Sequence, residues 1–268
     1  MSGLKTSQAV DVQVRSRGQV SRGADAYARE KVLATLDHVS EPVSAARVKL
    51  TQTVNGSAAR PAEAQAVVDV NGRPVRAHVA ASTVFEAVDL LQERLAVRLA
   101  RARRHGSRGL PGTVHEPWDG AGHQHRPHRR HLPAGERRIE RYKAVSPPRQ
   151  TPEDAVIDLE SMDHDFWVFT DLASGYDSVV YRDARTGRHR LASLGPLGQE
   201  READGLLGVS TVPVPQSTVA EAVERLVLTG LPFVFFHDTA TGRGSVLYHR
   251  YDGHYGLIAP AGTARPPA

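Results

Sequence analysis

The 268-residue chain contains no cysteine. That excludes a disulfide framework, a thiolate metal site and a cysteine nucleophile. No stretch approaches the roughly 20 consecutive apolar residues that a membrane-spanning helix needs. Met1 to Val10 carries Lys5 but no apolar segment of the kind found in a secretory leader. The expectation is a cytoplasmic chain with no membrane partner. A phosphate-loop lysine is also missing: Thr241-Gly242-Arg243-Gly244-Ser245 is glycine-rich but reads as a hairpin turn. Asp163-His164-Asp165 and His237-Asp238 suggest acid–base chemistry. An internal repeat, however, sets Leu231 and Pro232 where His164 and Asp165 stand, so no enzyme is expected.

Charge is unevenly spread. The net value is +4, yet residues 1–110 hold 17 Lys+Arg against 10 Asp+Glu, and residues 151–268 hold 9 against 16. A basic front and an acidic back point to a polyanion as partner of the front.

Residues 9–105 read as one unit. Val10, Val12 and Val14 alternate with polar residues, as do Ala46, Val48 and Leu50, then Ala64, Ala66, Val68 and Val70, then Val75, Ala77 and Val79. These are four half-buried strands. Asn71-Gly72 is a strong hairpin signal. Ala24, Tyr27, Ala28, Val32, Leu36 and Val39 recur at helical spacing after Ser21, which is placed to cap that helix. Val84, Val88, Leu91, Leu95, Leu99 and Ala102 form the apolar face of a second helix, opened by Ser82 or Thr83. The order is β-α-β-β-β-α, with both helices free to cover one face of the sheet. From Gly106 to Gly135, glycine and proline break any pattern and apolar residues are few, as in a flexible tether.

The remainder repeats itself at a shift of 67 positions. Ala155-Val156 meets Ala222-Val223, Leu159 meets Leu226, and Phe166 and Phe169 meet Phe233 and Phe236. Gly175, Ser178-Val179 and Tyr181 meet Gly242, Ser245-Val246 and Tyr248. A strand over Ile139–Val145 precedes one copy and another over Val209–Val214 the other, so each reads as β-α-β-β-β. A copy this small has little core of its own. Its aromatic strand runs are continuous rather than alternating, which implies burial on both faces. The expectation is that the copies pair within one chain, through Phe166, Val168, Phe169, Tyr181, Phe233, Phe235, Phe236 and Tyr248 as interface or core.

The expected class is therefore α+β. A β-α-β-β-β-α domain over 1–108 precedes a basic His/Pro/Gly-rich linker over 109–136. Two tandem β-α-β-β-β domains follow, over 137–198 and 199–268, forming an intrachain pseudo-dimer.

Candidate RNA contacts follow from the need to neutralise phosphates with clustered cations. Arg94, Arg98 and Arg101 lie at i, i+4 and i+7 on the second helix, away from its apolar stripe, and Arg103 and Arg104 extend the row. The competing explanation is an ordinary solvated face, with arginine near a helix C-terminus suiting the dipole. The sheet face opposite the helices carries Gln13, Arg15, Arg47, Lys49, Gln65, Arg76 and His78 and no aromatic residue. That argues against bases stacked on the sheet and for phosphate and sugar contacts. Arg17 and Arg22 flank the start of the first helix. The linker histidines His115, His123, His125, His128 and His131 have no fixed ligand spacing, so neither metal nor cofactor is expected.

Several passages resemble the long-form ribosome hibernation-promoting factors. In the first copy these are Thr151-Pro152-Glu153-Asp154-Ala155, His164-Asp165-Phe166-Trp167-Val168-Phe169 and Val179-Val180-Tyr181-Arg182. In the second they are Phe233-Val234-Phe235-Phe236, Val246-Leu247-Tyr248-His249-Arg250 and the ending Asp252-Gly253-His254-Tyr255-Gly256-Leu257-Ile258-Ala259-Pro260. Phe85-Glu86-Ala87-Val88-Asp89 looks like the opening of the family's second N-terminal helix. The resemblance implies binding to the ribosome: the 30S subunit and its 16S rRNA near the decoding channel, with mRNA and tRNA sites blocked, and the 50S subunit as a further contact of the repeats. It also implies a C-terminal domain present once, which makes homodimers that join two ribosomes. This chain departs from that pattern by carrying two copies, and its second helix opens with Ser82-Thr83 where relatives carry acidic residues. Internal pairing implies a monomer that idles single ribosomes. The rival reading is an RNA-binding adaptor whose acidic repeat pair recruits a protein.

Overall fold

The computed structural model describes residues 10–53, 60–107, 132–183, 186–196, 207–210 and 212–261. Of the expected linker over 109–136, residues 109–131 with the histidines lie outside them, and Ala134–Glu136 form a short 3-10 turn. The chain divides into two compact units, one on residues 10–107 and one on nearly all of those from 132 onward.

The first unit has the expected order. β1 (Val12–Gly18), α1 (Ala24–Leu36), β2 (Val43–Gln52), β3 (Ala62–Val70), β4 (Arg73–Ala81) and α2 (Val84–Ser107) follow in sequence. The sheet runs β1-β2-β3-β4, with β1 parallel to β2 and the other pairs antiparallel. Asn71 and Gly72 both have positive φ, the conformation that a tight β3–β4 hairpin requires. Alternation along each strand sends Val12, Val48, Leu50, Ala64, Ala66, Val68, Val75, Ala77 and Val79 to one side. There they meet Ala24, Ala28 and Val32 of α1 and Val84, Val88, Leu91, Leu95 and Leu99 of α2. The helices are tied to each other as well. The Tyr27 hydroxyl donates to Asp89 Oδ1 at 2.7 Å, Lys31 Nζ lies 3.0 Å from the same oxygen, and Tyr27 packs edge-on against Phe85.

The caps differ from expectation at one helix. Gly23, in the left-handed region, is the N-cap of α1 and no side chain caps it. Ser21 stands two residues too early for its hydroxyl to reach the first-turn amides, and it contributes only its carbonyl, to the Ala24 N–H. At α2, the Thr83 hydroxyl accepts from the Glu86 N–H at 3.2 Å and Glu86 returns a carboxylate to the Ser82 N–H at 3.1 Å. The Ser82 hydroxyl and N–H together hold the Glu86 carboxyl below its ordinary range.

The second unit is a four-layer stack. Copy 1 supplies β5 (Ile139–Val145), β6 (Arg149–Gln150), α3 (Pro152–Ser161), β7 (Phe166–Asp171), β8 (Asp177–Arg182) and β9 (His189–Ser193). Copy 2 supplies β10 (Gly208–Val209), β11 (Gln216–Ser217), α4 (Val219–Thr229), β12 (Phe233–Asp238), β13 (Arg243–His249) and β14 (Tyr255–Pro260). One five-stranded sheet runs β10-β9-β8-β7-β6 and the other β11-β12-β13-β14-β5. α3 covers the outer face of the first through Ala155, Leu159, Phe169, Val180 and Leu191. α4 covers the second through Ala222, Leu226, Phe236, Leu247 and Leu257. The inner faces meet each other.

The leading strands correct the sequence reading. β5 does not join its own copy but runs parallel to β14, and β10 runs parallel to β9. The exchange is reciprocal in register. Arg141 and Tyr142 sit opposite Gly256 and Leu257, and their counterparts Gly208 and Val209 sit opposite Arg190 and Leu191. Sequence periodicity identifies a strand but not the sheet that takes it. The predicted strand Val209–Val214 is also shorter than expected, and β6 and β11 are additional.

Candidate nucleic-acid interface

The sheet face opposite the helices of the first unit is built by alternation alone. Gln13, Arg15 and Arg17 point the same way along β1, and Arg47 and Lys49 do so along β2. Register then sets Gln13 beside Arg47 and Arg15 beside Lys49. All five side chains are exposed. Adjacent strands lie about 4.8 Å apart, so Arg15 and Lys49 are close like charges, an arrangement that costs stability unless an anion relieves it. Among the described residues Arg15, Arg17, Arg47 and Lys49 form no ion pair. Arg22 is exposed in the turn before α1.

Toward the other edge the face is less open than the sequence suggests. Arg76 is half-buried and its Nη2 donates to Gln65 Oε1 at 3.1 Å. His78, expected on the open surface, is only 7% exposed and lies 3.4 Å from Glu63 Oε2. The α2 row is corrected in the same sense. Arg94, Arg98 and Arg101 share one side of the helix but are half-buried rather than fully solvent-facing. Arg103 is exposed and lies 3.4 Å from Glu41 Oε1. The Arg104 side chain falls outside the described residues. Among the described residues the exposed cations of this face thus lie on β1 and β2.

Comparison with known proteins bears on both units. A family model described as "Sigma 54 modulation/S30EA ribosomal protein C terminus" matches twice, at residues 134–187 and 205–257. A dormancy associated translation inhibitor of Mycobacterium tuberculosis is 36% identical over 224 residues, covering 81% of this chain and 77% of that protein. The chain belongs to the long-form ribosome hibernation-promoting factor family. A ribosome hibernation promotion factor of Bradyrhizobium diazoefficiens is 33% identical over 72 residues, covering 24% of this chain and 36% of that one. The crystal structure of the Thermus thermophilus Protein Y N-terminal domain is 19% identical, covers 34% of this chain and 96% of its own, and gives a TM-score of 0.28.

The hydrophobic residues expected at the repeat pair divide by strand alternation. Phe169 is buried under α3 and Phe236 under α4. Phe166, Val168, Tyr181, Phe233 and Phe235 lie between the sheets, with Val179, Ala192 and Val246. Phe166 and Phe233, equivalent in the repeat, have ring centroids 4.7 Å apart. Phe166 also meets Tyr248 at 5.7 Å, and Phe233 meets Tyr181 at 5.5 Å, the reciprocal contact of a two-fold pair. Tyr248 lies across Gly256, where a Cβ would stand 2.3 Å from its Cζ. One polar group in this layer was missed from the sequence: Asp177, which accepts from Arg243. Its signal was available, since Asp177 and Arg243 both break the 67-residue repeat.

Proposed function

We propose that this chain is a ribosome hibernation factor that binds the 30S subunit within the 70S ribosome, near the decoding channel. It blocks mRNA and tRNA sites, inhibits translation and preserves idle ribosomes. The observation that carries the reading is the row Arg15, Arg17, Arg47 and Lys49: exposed, adjacent, and forming no ion pair among the described residues. Such a row favours a phosphate backbone over a folded protein surface. The face offers no aromatic platform, which suits shape and backbone recognition of folded RNA. Arg22, Arg76 and the α2 arginines are the flanking contacts of this reading. Membership of a family whose relatives are named as translation inhibitors and hibernation factors supports it. Internal pairing of the C-terminal copies further supports action on single ribosomes, because the inner face of each copy is already covered.

Co-sedimentation with ribosomes through a sucrose gradient at moderate salt tests this. The expected result is protein in the 30S or 70S peak, lost when Arg15, Arg47 and Lys49 are replaced by Glu, with no particle near twice the 70S mass. Protein left at the top of the gradient would overturn the ribosome reading and favour the adaptor. A double-mass particle would overturn only the single-ribosome part.

A further inference from the structure

On the axis of the repeat pair the two-fold symmetry is broken by a charged contact. Position 177 of copy 1 and position 244 of copy 2 are equivalent under the 67-residue shift, and they touch. In copy 1 the residue is Asp177, its side chain 4% exposed. In copy 2 it is Gly244, whose N–H donates to Asp177 Oδ2 at 2.9 Å. Arg243 completes the grip, donating from Nε at 2.7 Å to Oδ2 and from Nη2 at 2.9 Å to Oδ1. The equivalent of Arg243 in copy 1 is Tyr176, a neutral side chain whose ring lies against Gly195. There is no room for a second side chain: a Cβ on Gly244 would stand 2.7 Å from the Asp177 Cβ and 2.8 Å from the Phe235 ring.

Each alternative pairing fails by chemistry already present. Copy 1 against another copy 1 would bring two Asp177 carboxylates together in a buried site with no guanidinium, and like charges so placed cannot both stay ionised. Copy 2 against another copy 2 would leave two Arg243 side chains and two buried Gly244 N–H groups without the Asp177 carboxylate that accepts from them. Only the mixed pair supplies one carboxylate, one arginine and the space for both. The contacts among Phe166, Tyr181, Phe233 and Tyr248 do not discriminate, because these four match pairwise, although Phe235 stands in this layer where copy 1 has Val168.

We infer that the Asp177, Gly244 and Arg243 contact is a selectivity lock that makes copy 1 accept copy 2 and reject a second copy 1. It turns a surface able to self-associate into one that fits a single partner. The inference is independent of what the first unit binds. It concerns residues that pair with each other, not residues that meet RNA.

The test removes the tether without removing any part of the protein. A single protease site is inserted between Gly198 and Gly205 of the full chain, which is cut after folding. The two pieces are then equilibrated at micromolar concentration and weighed by native mass spectrometry. The lock requires the mixed pair alone in the cut parent protein, and at least a tenfold rise in like pairs of the larger piece on Asp177→Gly. Like pairs in the parent, pieces that do not re-pair, or an Asp177→Gly protein that still forms only mixed pairs would each overturn it. The uncut chain gives a second readout. Gly244→Asp should lower the melting temperature near neutral pH, and the loss should shrink as one of the facing carboxyls protonates. Adding Asp177→Gly should restore part of it. A Gly244→Asp loss that acid does not relieve, or that Gly244→Asn reproduces in full, would mean a steric defect alone, and would refute the lock.

Discussion

The exposed cations of β1 and β2 make a quantitative prediction about salt. For a duplex, each phosphate neutralised contributes about −0.9 to the slope of log affinity against log salt. If Arg15, Arg17, Arg47 and Lys49 each meet one phosphate, their share of the slope is about −3.6, or roughly a 150-fold loss of affinity between 50 and 200 mM salt. The double substitution Arg15→Ala/Lys49→Ala removes two contacts. Its slope should be shallower by about 1.8, so that its affinity falls roughly 12-fold less over the same range. The fold should not suffer, since both side chains are exposed and form no ion pair among the described residues. Two like charges roughly 5 Å apart repel by about 0.8 kcal/mol in water before salt screening, so the double variant should be no less stable than the parent. The assay is ribosome binding titrated at four or more salt concentrations, with thermal unfolding measured alongside. Parallel lines of equal slope would refute the phosphate assignment even if the variant bound more weakly. A lower melting temperature would refute the claim that these residues are free of structural duty.

Three further predictions concern the second unit. Phe235→Ala empties the layer between the sheets, where Phe235 is 6% exposed, and should cost about 3–5 kcal/mol in denaturant unfolding of the full chain; a loss below about 1 kcal/mol would mean that the sheets collapse onto the gap. Gly256→Ala drives a methyl into the Tyr248 ring and should destabilise by about 1–3 kcal/mol, with part of the loss recovered by Tyr248→Ala; no recovery would place the strain elsewhere. His189 should make the unit acid-sensitive. Burial first, then the charge of Arg182, lower its pKa to about 4, and the neutral ring can donate Nε2–H to Glu160 Oε1 at 2.8 Å. Because the folded value lies below the unfolded one, the stabilisation is complete above about pH 6.5 and is lost as pH falls toward 4, by roughly 2–4 kcal/mol in all. His189→Gln should flatten stability across that window, and an unchanged slope would refute the assignment.

The sequence displays the first unit well because its elements are regular and its core is local in character. Val12, Val48, Val68 and Val75 alternate, Leu91, Leu95 and Leu99 repeat at helical spacing, and Asn71-Gly72 marks the turn, so pattern, capping and turn chemistry agree. The interface was less legible. Alternation places Arg76 and His78 on the same face as Arg15 and Lys49, but alternation carries no information about how deeply a side chain is covered. Helical spacing likewise put Arg94 and Arg98 on one side without revealing that they are half-buried. In the second unit the 67-residue shift exposed the duplication, and continuous apolar runs revealed burial on both faces. Strand exchange was invisible, because periodicity identifies a strand but not the sheet edge that takes it.

Joining two copies in one chain changes what selection of a partner can achieve. A homodimer must be compatible with itself at every position on its axis, so a residue there meets its own kind and a lone buried carboxylate is forbidden. Covalent duplication lifts that restriction: positions 177 and 244 need only suit each other. The tether also keeps the second copy at a high effective concentration, so pairing no longer depends on how much protein is present. The positions that remain alike fit this logic. Ala155 and Ala222, Leu159 and Leu226, and Phe169 and Phe236 serve each copy's own core, where both copies face the same packing problem. Phe166 and Phe233 also remain alike, because an aromatic pair can sit on a two-fold axis without penalty. A charged pair cannot, and at positions 177 and 244 the copies differ. A symmetric residue pair should therefore be harmless at the aromatic contact and damaging at the charged one. Phe166→Tyr with Phe233→Tyr should leave the chain paired, whereas Gly244→Asp should open it. Equal tolerance of both changes, measured as hydrodynamic radius and melting temperature, would show that the axis imposes no such rule.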